Sequence, residues 1–188
     1  LQDHVVKAEI LLHGSFATTG IGHGTDKALI AGLLGMRPDD IRIPASFELA
    51  GKAGMEFTFS TVTLKDAHPN TAVLRLAGEH GRKIEVQAAS IGGGRTLIAK
   101  LDGIDVNFSA EKPTLIVHNV DQPGHVAQVT TMLAEKKVNI ATLQLYRDKR
   151  GGYAVMVIET DQKVPRESVV WLEQLEGIIK VTYINVEE

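Results

Sequence analysis

The stretch LIVHNVDQPGHVAQVTTMLAEKKVNI, Leu115–Ile140, decides the fold of the C-terminal half. Its first residues are aliphatic and β-branched, as a buried strand requires. Asp121–Gln122–Pro123–Gly124 then breaks the run and delivers Pro123 to the first turn of a helix. In GHVAQVTTMLAEKK the spacing of Val126, Val129, Met132 and Leu133 predicts one apolar helix face. Val138–Tyr146 reads as a second strand, and Gly151–Gly152 turns it into the hairpin partner YAVMVIET. Pro165 opens the helix RESVVWLEQL, Gly177 closes it, and IIKVTYINV is the last strand. The order is βαββαβ, a ferredoxin-like arrangement.

Upstream, the element order differs. VVKAEILL at 5–12 predicts a strand, followed by the Gly- and Thr-rich loop HGSFATTGIGHGTD. Thr25 or Asp26 is the expected cap of a helix KALIAGLLG with Leu29, Ile30, Leu33 and Leu34 on one stripe, stopped by Gly35. Pro44 opens a second short helix, Gly54 ends it, and MEFTFSTV alternates as a strand. Two hairpins follow, TAVLRLAGEHGRKIEVQAA and RTLIAKLDGIDVNFSA, with Ser90–Ile91–Gly92–Gly93–Gly94 between them. Glu111–Lys112–Pro113 reads as the hinge. The expected organisation is an α+β domain over 1–111 and a ferredoxin-like domain over 112–188.

Composition narrows the function. Twenty basic residues against 23 acidic give a net charge of −3, which offers no surplus to neutralise phosphates, so no nucleic-acid partner is expected. Arg147–Arg150, interrupted by Asp148, reads as a solvated turn. No apolar run approaches the roughly 18 residues of a membrane span, and no signal peptide is visible, so no membrane partner is expected. There is no cysteine, which excludes disulfides, thiolate zinc sites and an iron–sulfur cluster held by this chain alone. That usage fits a reducing, cytoplasmic setting. No metal ligand set is expected on this chain.

Leu115–Ile140 resembles the ACT domain, through its D-x-P-G turn and the strand opening with Asn139–Ile140; the resemblance covers about Pro113 to Glu188. It implies edge-to-edge pairing of two copies, a homodimer, and a free amino acid bound between them. The residues leave the alternatives open. Gly124 and the helix start can present N–H groups to a carboxylate, or only shape a turn. Asn139 can accept from an ammonium group, or only cap the helix end. His125 lines a site or lies on the surface. Asp121, Pro123, Gly124, His125, Asn139 and Ile140 are the candidate allosteric-ligand residues.

Three polar loops carry the chemistry of the first half: Gly22–Asp26, Asp66–Thr71 and Ser90–Gly94. His23, flanked by glycines, leaves room for a substrate, and a free imidazole titrates at about 6.5, which suits proton abstraction. Thr25 and Asp26 can orient it or hold a hydroxyl. Gly92–Gly93–Gly94 can turn N–H groups towards a carboxylate, or simply bend the chain.

In combination, LHGSFATTGIGHGTDKALIAGLLG, DAHPNT and SIGGG ahead of an ACT-like half resemble the β subunit of iron–sulfur-dependent L-serine ammonia-lyase (L-serine dehydratase), from Val5 to the C-terminus. The first half would be that family's allosteric-substrate-binding-type domain, related to one in some phosphoglycerate dehydrogenases. The resemblance implies conversion of L-serine to pyruvate and ammonia, with a 4Fe-4S cluster on a cysteine-bearing α subunit. It implies His23 as the base that takes the Cα proton. Gly24, Thr25, Asp26, His68, Asn70, Ser90, Gly92 and Gly93 then belong to a substrate site shared between subunits, and this chain alone is inactive. Family members carry P-S-S-S-H-T ahead of the first strand, and this sequence starts after that position. Either that part was trimmed, or a degenerate or regulatory subunit lacks it. Two other readings stand beside this one: a non-catalytic amino-acid-sensing module, for which His23 in G-H-G-T-D has no chemical use, and a self-contained hydrolase built on His23, Asp26 and His68. No nucleophile elbow or H-x-x-x-H pair supports the hydrolase.

Overall fold

The computed structural model describes residues 3–109 and 111–185. Ala110 and Val186, which the sequence reading included in strands, lie outside the described residues, as do residues 1, 2, 187 and 188 at the outer limits of the two expected domains. The chain divides into two compact units, one over residues 3–103 and one from Ile104 onward.

The first sheet has the order β2-β1-β3-β4-β5-β6. Its strands are β1 (Val5–Gly14), β2 (Glu56–Thr61), β3 (Asn70–Gly78), β4 (Lys83–Gly92), β5 (Arg95–Leu101) and β6 (Ile104–Phe108). β1 alternates, so Ala8, Ile10 and Leu12 are buried together. They meet α2 (Thr25–Leu33) and α3 (Ser46–Lys52) through Ile30, Ala50 and Met55, with Leu29, Leu33, Leu34 and Phe47 packed around them. The helical stripe expected from the sequence is thus the stripe that faces the sheet. β2 runs parallel to β1, as the helical crossover between them requires, and β3 pairs with β1 on its other side, antiparallel. Arg75 on β3 bridges Glu9 on β1 (3.3 Å) and Glu85 on β4 (2.6 Å), an exposed cross-strand ladder.

Three local expectations are corrected. The loop after β1 contains a short helix, α1 (Ser15–Thr19). Neither Thr25 nor Asp26 caps α2: Gly24, at φ +72°, is the N-cap residue, and the Asp26 carboxylate accepts from the neighbouring Lys27 N–H at 2.8 Å. Left-handed φ comes cheaply only to glycine, so Gly24 is the residue that can start the helix there. Ser90–Gly94 is no spacer between hairpins. Ser90 pairs with Thr96 and Gly92 with Arg95, so β3 to β6 form one continuous meander.

The second sheet has the order β10-β7-β9-β8, from β7 (Thr114–Val120), β8 (Ile140–Arg147), β9 (Tyr153–Thr160) and β10 (Ile178–Ile184). With α4 (His125–Glu135) and α5 (Arg166–Glu173) this is the expected βαββαβ order. Leu115, Val117, Met156 and Ile158 form the core with Val129, Leu133 and Leu172 from the helices. The buried face of α4 is His125, Val129, Met132 and Leu133, whereas Val126 is 38% exposed. The stripe therefore starts one residue earlier than the sequence suggested, at an i, i+4, i+7, i+8 spacing that includes the imidazole. Pro123 lies just outside α4, ahead of the N-cap Gly124. Among the described residues no helix is long and apolar enough to cross a membrane.

Candidate functional site

Register brings the three polar loops of the first unit to one end of its sheet. Gly14, the last residue of β1, pairs with Asn70, the first of β3. Thr71 pairs with Ala89, and β4 turns into β5 immediately beyond, at Gly92–Arg95. The loops that carry His23 and His68 and the end of β4 that carries Ser90 thus lie at the same rim. Adjacent strands lie about 4.8 Å apart, so the ends of β1, β3, β4 and β5 span about 15 Å.

Gly14 brings two of these segments close together. A Cβ there would stand 2.5 Å from the Pro69 carbonyl oxygen, and its φ is +57°. The Ser15 N–H donates to that same oxygen at 2.8 Å, which ties the D-A-H-P-N-T loop to the start of α1.

His23 sits in a turn closed by its own backbone. Thr25 N–H donates to Gly20 O at 2.8 Å, and Gly24 N–H to Ile21 O at 3.1 Å. The His23 side chain is exposed and makes no hydrogen bond or ion pair among the described residues. Asp26 does not orient it, because the Asp26 carboxylate accepts from Lys27. His68, also exposed, is held differently: its Nδ1 accepts the Asn70 N–H at 3.1 Å, and its carbonyl accepts from the Thr71 hydroxyl at 2.6 Å. A neutral His68 then carries its proton on Nε2 and presents a donor. Gly92, Gly93 and Gly94 have φ of +88°, +64° and +75°. A run of one hand lacks the αR–αL alternation that curls N–H groups around an anion, so the turn is a hairpin bend rather than a preformed nest.

The candidate ligand residues of the second unit fall into two groups. Asp121, Pro123 and Gly124 lie at the end of β7, where Asp121 accepts from Gly151 N–H (2.9 Å) and Arg147 (3.1 Å). Those partners, the Gly151 N–H first, hold the Asp121 carboxyl below the usual carboxylate range. Asn139 and Ile140 lie at the start of β8, where Ile140 pairs with Thr160. There the Asn139 side-chain amide donates to Asp161 at 2.6 Å, and its backbone N–H donates to Gln162 at 2.6 Å. β7 and β8 are both antiparallel to β9, so they run parallel to each other. Asp121 lies opposite Gly152 and Ile140 opposite Thr160, eight residues along β9, so the two groups are about 25 Å apart and do not meet within one copy.

Two comparisons with known proteins bear on this geometry. Residues 113–169 match the ACT domain, and residues 1–53 match the serine dehydratase beta chain family. The chain is 35% identical over 181 residues to the L-serine dehydratase beta chain of Peptoniphilus asaccharolyticus, covering 96% of this chain and 82% of that protein. The chain belongs to the L-serine dehydratase beta-chain family. A probable L-serine dehydratase beta chain of Bacillus subtilis (strain 168) is 35% identical over 175 residues, 93% of this chain and 79% of that one. The D-3-phosphoglycerate dehydrogenase of Archaeoglobus fulgidus is more distant, 26% identical over 183 residues, which are 96% of this chain and 34% of that enzyme.

The donor set of this beta chain does not suit an iron–sulfur cluster. Its 188 residues include no cysteine, and among the described residues no group of three His, Asp or Glu side chains is placed to hold a metal. Beside the D-Q-P-G turn, sequence reasoning missed one buried polar residue, Asn119, and left another, His125, open between a lining and a surface place. Asn119 is 3% exposed and its Oδ1 has no partner among the described residues; its amide donates to Val120 O at 2.7 Å. His125 is buried with its imidazole over Gly177, and its Nε2 has no partner among the described residues. Leaving a buried polar atom unpaired costs about 1–3 kcal/mol. The signal was present as polar residues inside an apolar strand and an apolar stripe. A groove of about 690 Å³ between α4 and α5, lined by Met132, Ser168 and Trp171 among others, holds none of the residues expected from the sequence.

Proposed function

We propose that this beta chain supplies the proton-transfer and substrate-gripping half of an L-serine ammonia-lyase, with residues 1–111 as that half and 112–188 as an amino-acid-binding regulatory domain. The carrying observation is the rim itself. Three polar segments stand at one sheet end, and the His23 imidazole has no partner among the described residues. In the reaction a base takes the Cα proton of L-serine while the β-hydroxyl departs as water. The resulting enamine tautomerises and hydrolyses to pyruvate and ammonia.

His23 takes the Cα proton: it is exposed, and neither ring nitrogen has a partner among the described residues. His68, with Nδ1 occupied, donates from Nε2 to the substrate carboxylate or hydroxyl, and Asn70 beside it adds an amide. Gly24, Thr25, Asp26, Ser90, Gly92 and Gly93 complete the rim and admit substrate close to backbone. A 4Fe-4S cluster on the cysteine-bearing alpha chain supplies Lewis acidity towards the leaving hydroxyl. A reducing cytoplasm suits both chains.

Two copies of the ACT domain pair through β8. Antiparallel pairing of two β8 edges sets Asn139 and Ile140 of one copy beside the Arg147–Asp121 end of the other. Pairing through β10 leaves Asn139 outside the interface. The amino acid then lies between Gly124 of one copy and Asn139 of its partner. A purely regulatory module, suggested by the dehydrogenase match, predicts ligand binding without turnover.

The test is reconstitution from the full reading frame under anaerobic conditions. The beta chain alone is expected to form no pyruvate from L-serine, and co-expression with the cysteine-bearing chain to yield pyruvate and ammonia in equal amounts. Turnover by the beta chain alone defeats the shared site. Serine binding without turnover in the assembled complex favours the regulatory module.

A further inference from the structure

We infer that His13 is a positioning residue, whose Nδ1 at the end of β1 fixes the loop that carries His68 and Asn70. The inference rests on the rim described above being the serine site. β1 ends in Leu12–His13–Gly14, and each of these residues, or the one that follows, grips the segment between β2 and β3. Leu12 O accepts Val62 N–H at 2.9 Å. His13 Nδ1 accepts Leu64 N–H at 3.2 Å. Gly14 lets Pro69 approach, and Ser15 N–H donates to Pro69 O. Asn70 then enters β3 opposite Gly14.

The His13 ring is half-buried, and Nδ1 is also 3.3 Å from Val62 O. One nitrogen cannot donate to Val62 and accept from Leu64 in the same protonation state. Leu64 N–H has no other acceptor among the described residues, and an unpaired backbone N–H is the costlier loss. Nδ1 is therefore the acceptor and Nε2 carries the proton. The loop has few other ties: Asp66 adopts φ +56°, which a non-glycine residue takes at a cost. His13 thus shortens the span between tied backbone groups from Val62–Pro69 to Leu64–Pro69, and that span carries the His68 Nε2 donor.

The test separates the acceptor from the bulk of the ring. In His13→Asn the side-chain carbonyl oxygen occupies the place of Nδ1, in His13→Gln it lies one bond further out, and in His13→Leu it is absent. Amide exchange in the beta chain reads the tie directly. Leu64 exchange is expected to rise about tenfold in His13→Leu and His13→Gln, the loss of one hydrogen bond, and to stay near wild type in His13→Asn. In the reconstituted enzyme His13→Gln should raise KM for L-serine about tenfold with kcat changed less than about threefold, and His13→Asn should restore KM. His13→Gln keeps a polar, folded variant in hand if His13→Leu does not fold. Unchanged Leu64 exchange in His13→Gln overturns the inference. So does an equal fall of kcat in Asn and Gln variants, which would mark His13 as reacting with substrate itself. An inactive wild-type complex sinks the serine reading alone, because the exchange result stands without turnover.

Discussion

Two histidines of the rim differ in one hydrogen bond, and that bond separates their expected roles. His68 Nδ1 is taken by the Asn70 N–H, whereas His23 is bound to nothing among the described residues. A general base contributes about 10²–10⁴-fold to rate. His23→Ala in the assembled enzyme is therefore expected to abolish measurable turnover while gel filtration still shows the complex. Near-normal rates would remove His23 from the base role. His68→Ala is expected to act mainly on KM, since a donor to bound substrate grips ground and transition states alike. Gly14 works at the same scale by what it lacks: any Cβ would collide with Pro69.

Among elements, the turn into α4 combines an ordinary structural role with an acid-sensitive one. Asp121 accepts from Gly151 N–H and from Arg147, so it staples the turn after β7 to the β8–β9 hairpin. Its carboxyl is lowered in the folded chain, by the Gly151 N–H first and Arg147 next. The staple is therefore fully present above the unfolded carboxyl pKa of about 3.9 and is lost as pH falls through the lower folded value. Asp121→Asn should remove that acid limb from the stability curve of the C-terminal unit, followed by urea unfolding between neutral pH and pH 2. An acid limb of unchanged size in the variant would show that Asp121 does not produce it. α4 itself was read from the sequence with its stripe displaced by one residue. A histidine counts as polar in a periodicity, and only the close fit of His125 over Gly177 shows it facing inward.

At the scale of the molecule, the amino-acid site of the ACT domain is expected to exist only between copies. Gly124→Val and Asn139→Ala chains should each bind no amino acid as pure dimers. A mixed dimer has one site with both lesions and one with neither, so calorimetric titration with L-serine should recover half the wild-type stoichiometry. No recovery on mixing would place the two groups in separate sites.

The sequence by itself determined the βαββαβ order of the C-terminal half, most elements of the first half and the family, because hydrophobic period, Gly and Pro positions and short motifs are local properties of the chain. It also marked the three polar loops. Only tertiary structure decided that β2 lies parallel beside β1 and that three distant polar segments lie at one rim. Strand register alone fixes which residues, tens of positions apart, become neighbours. The same register separates Asn139 from Gly124 by the length of a strand, although the two are close in sequence. The tie between His13 and Leu64 was invisible for that reason as well: nothing local in LLHGS says which backbone its imidazole will meet.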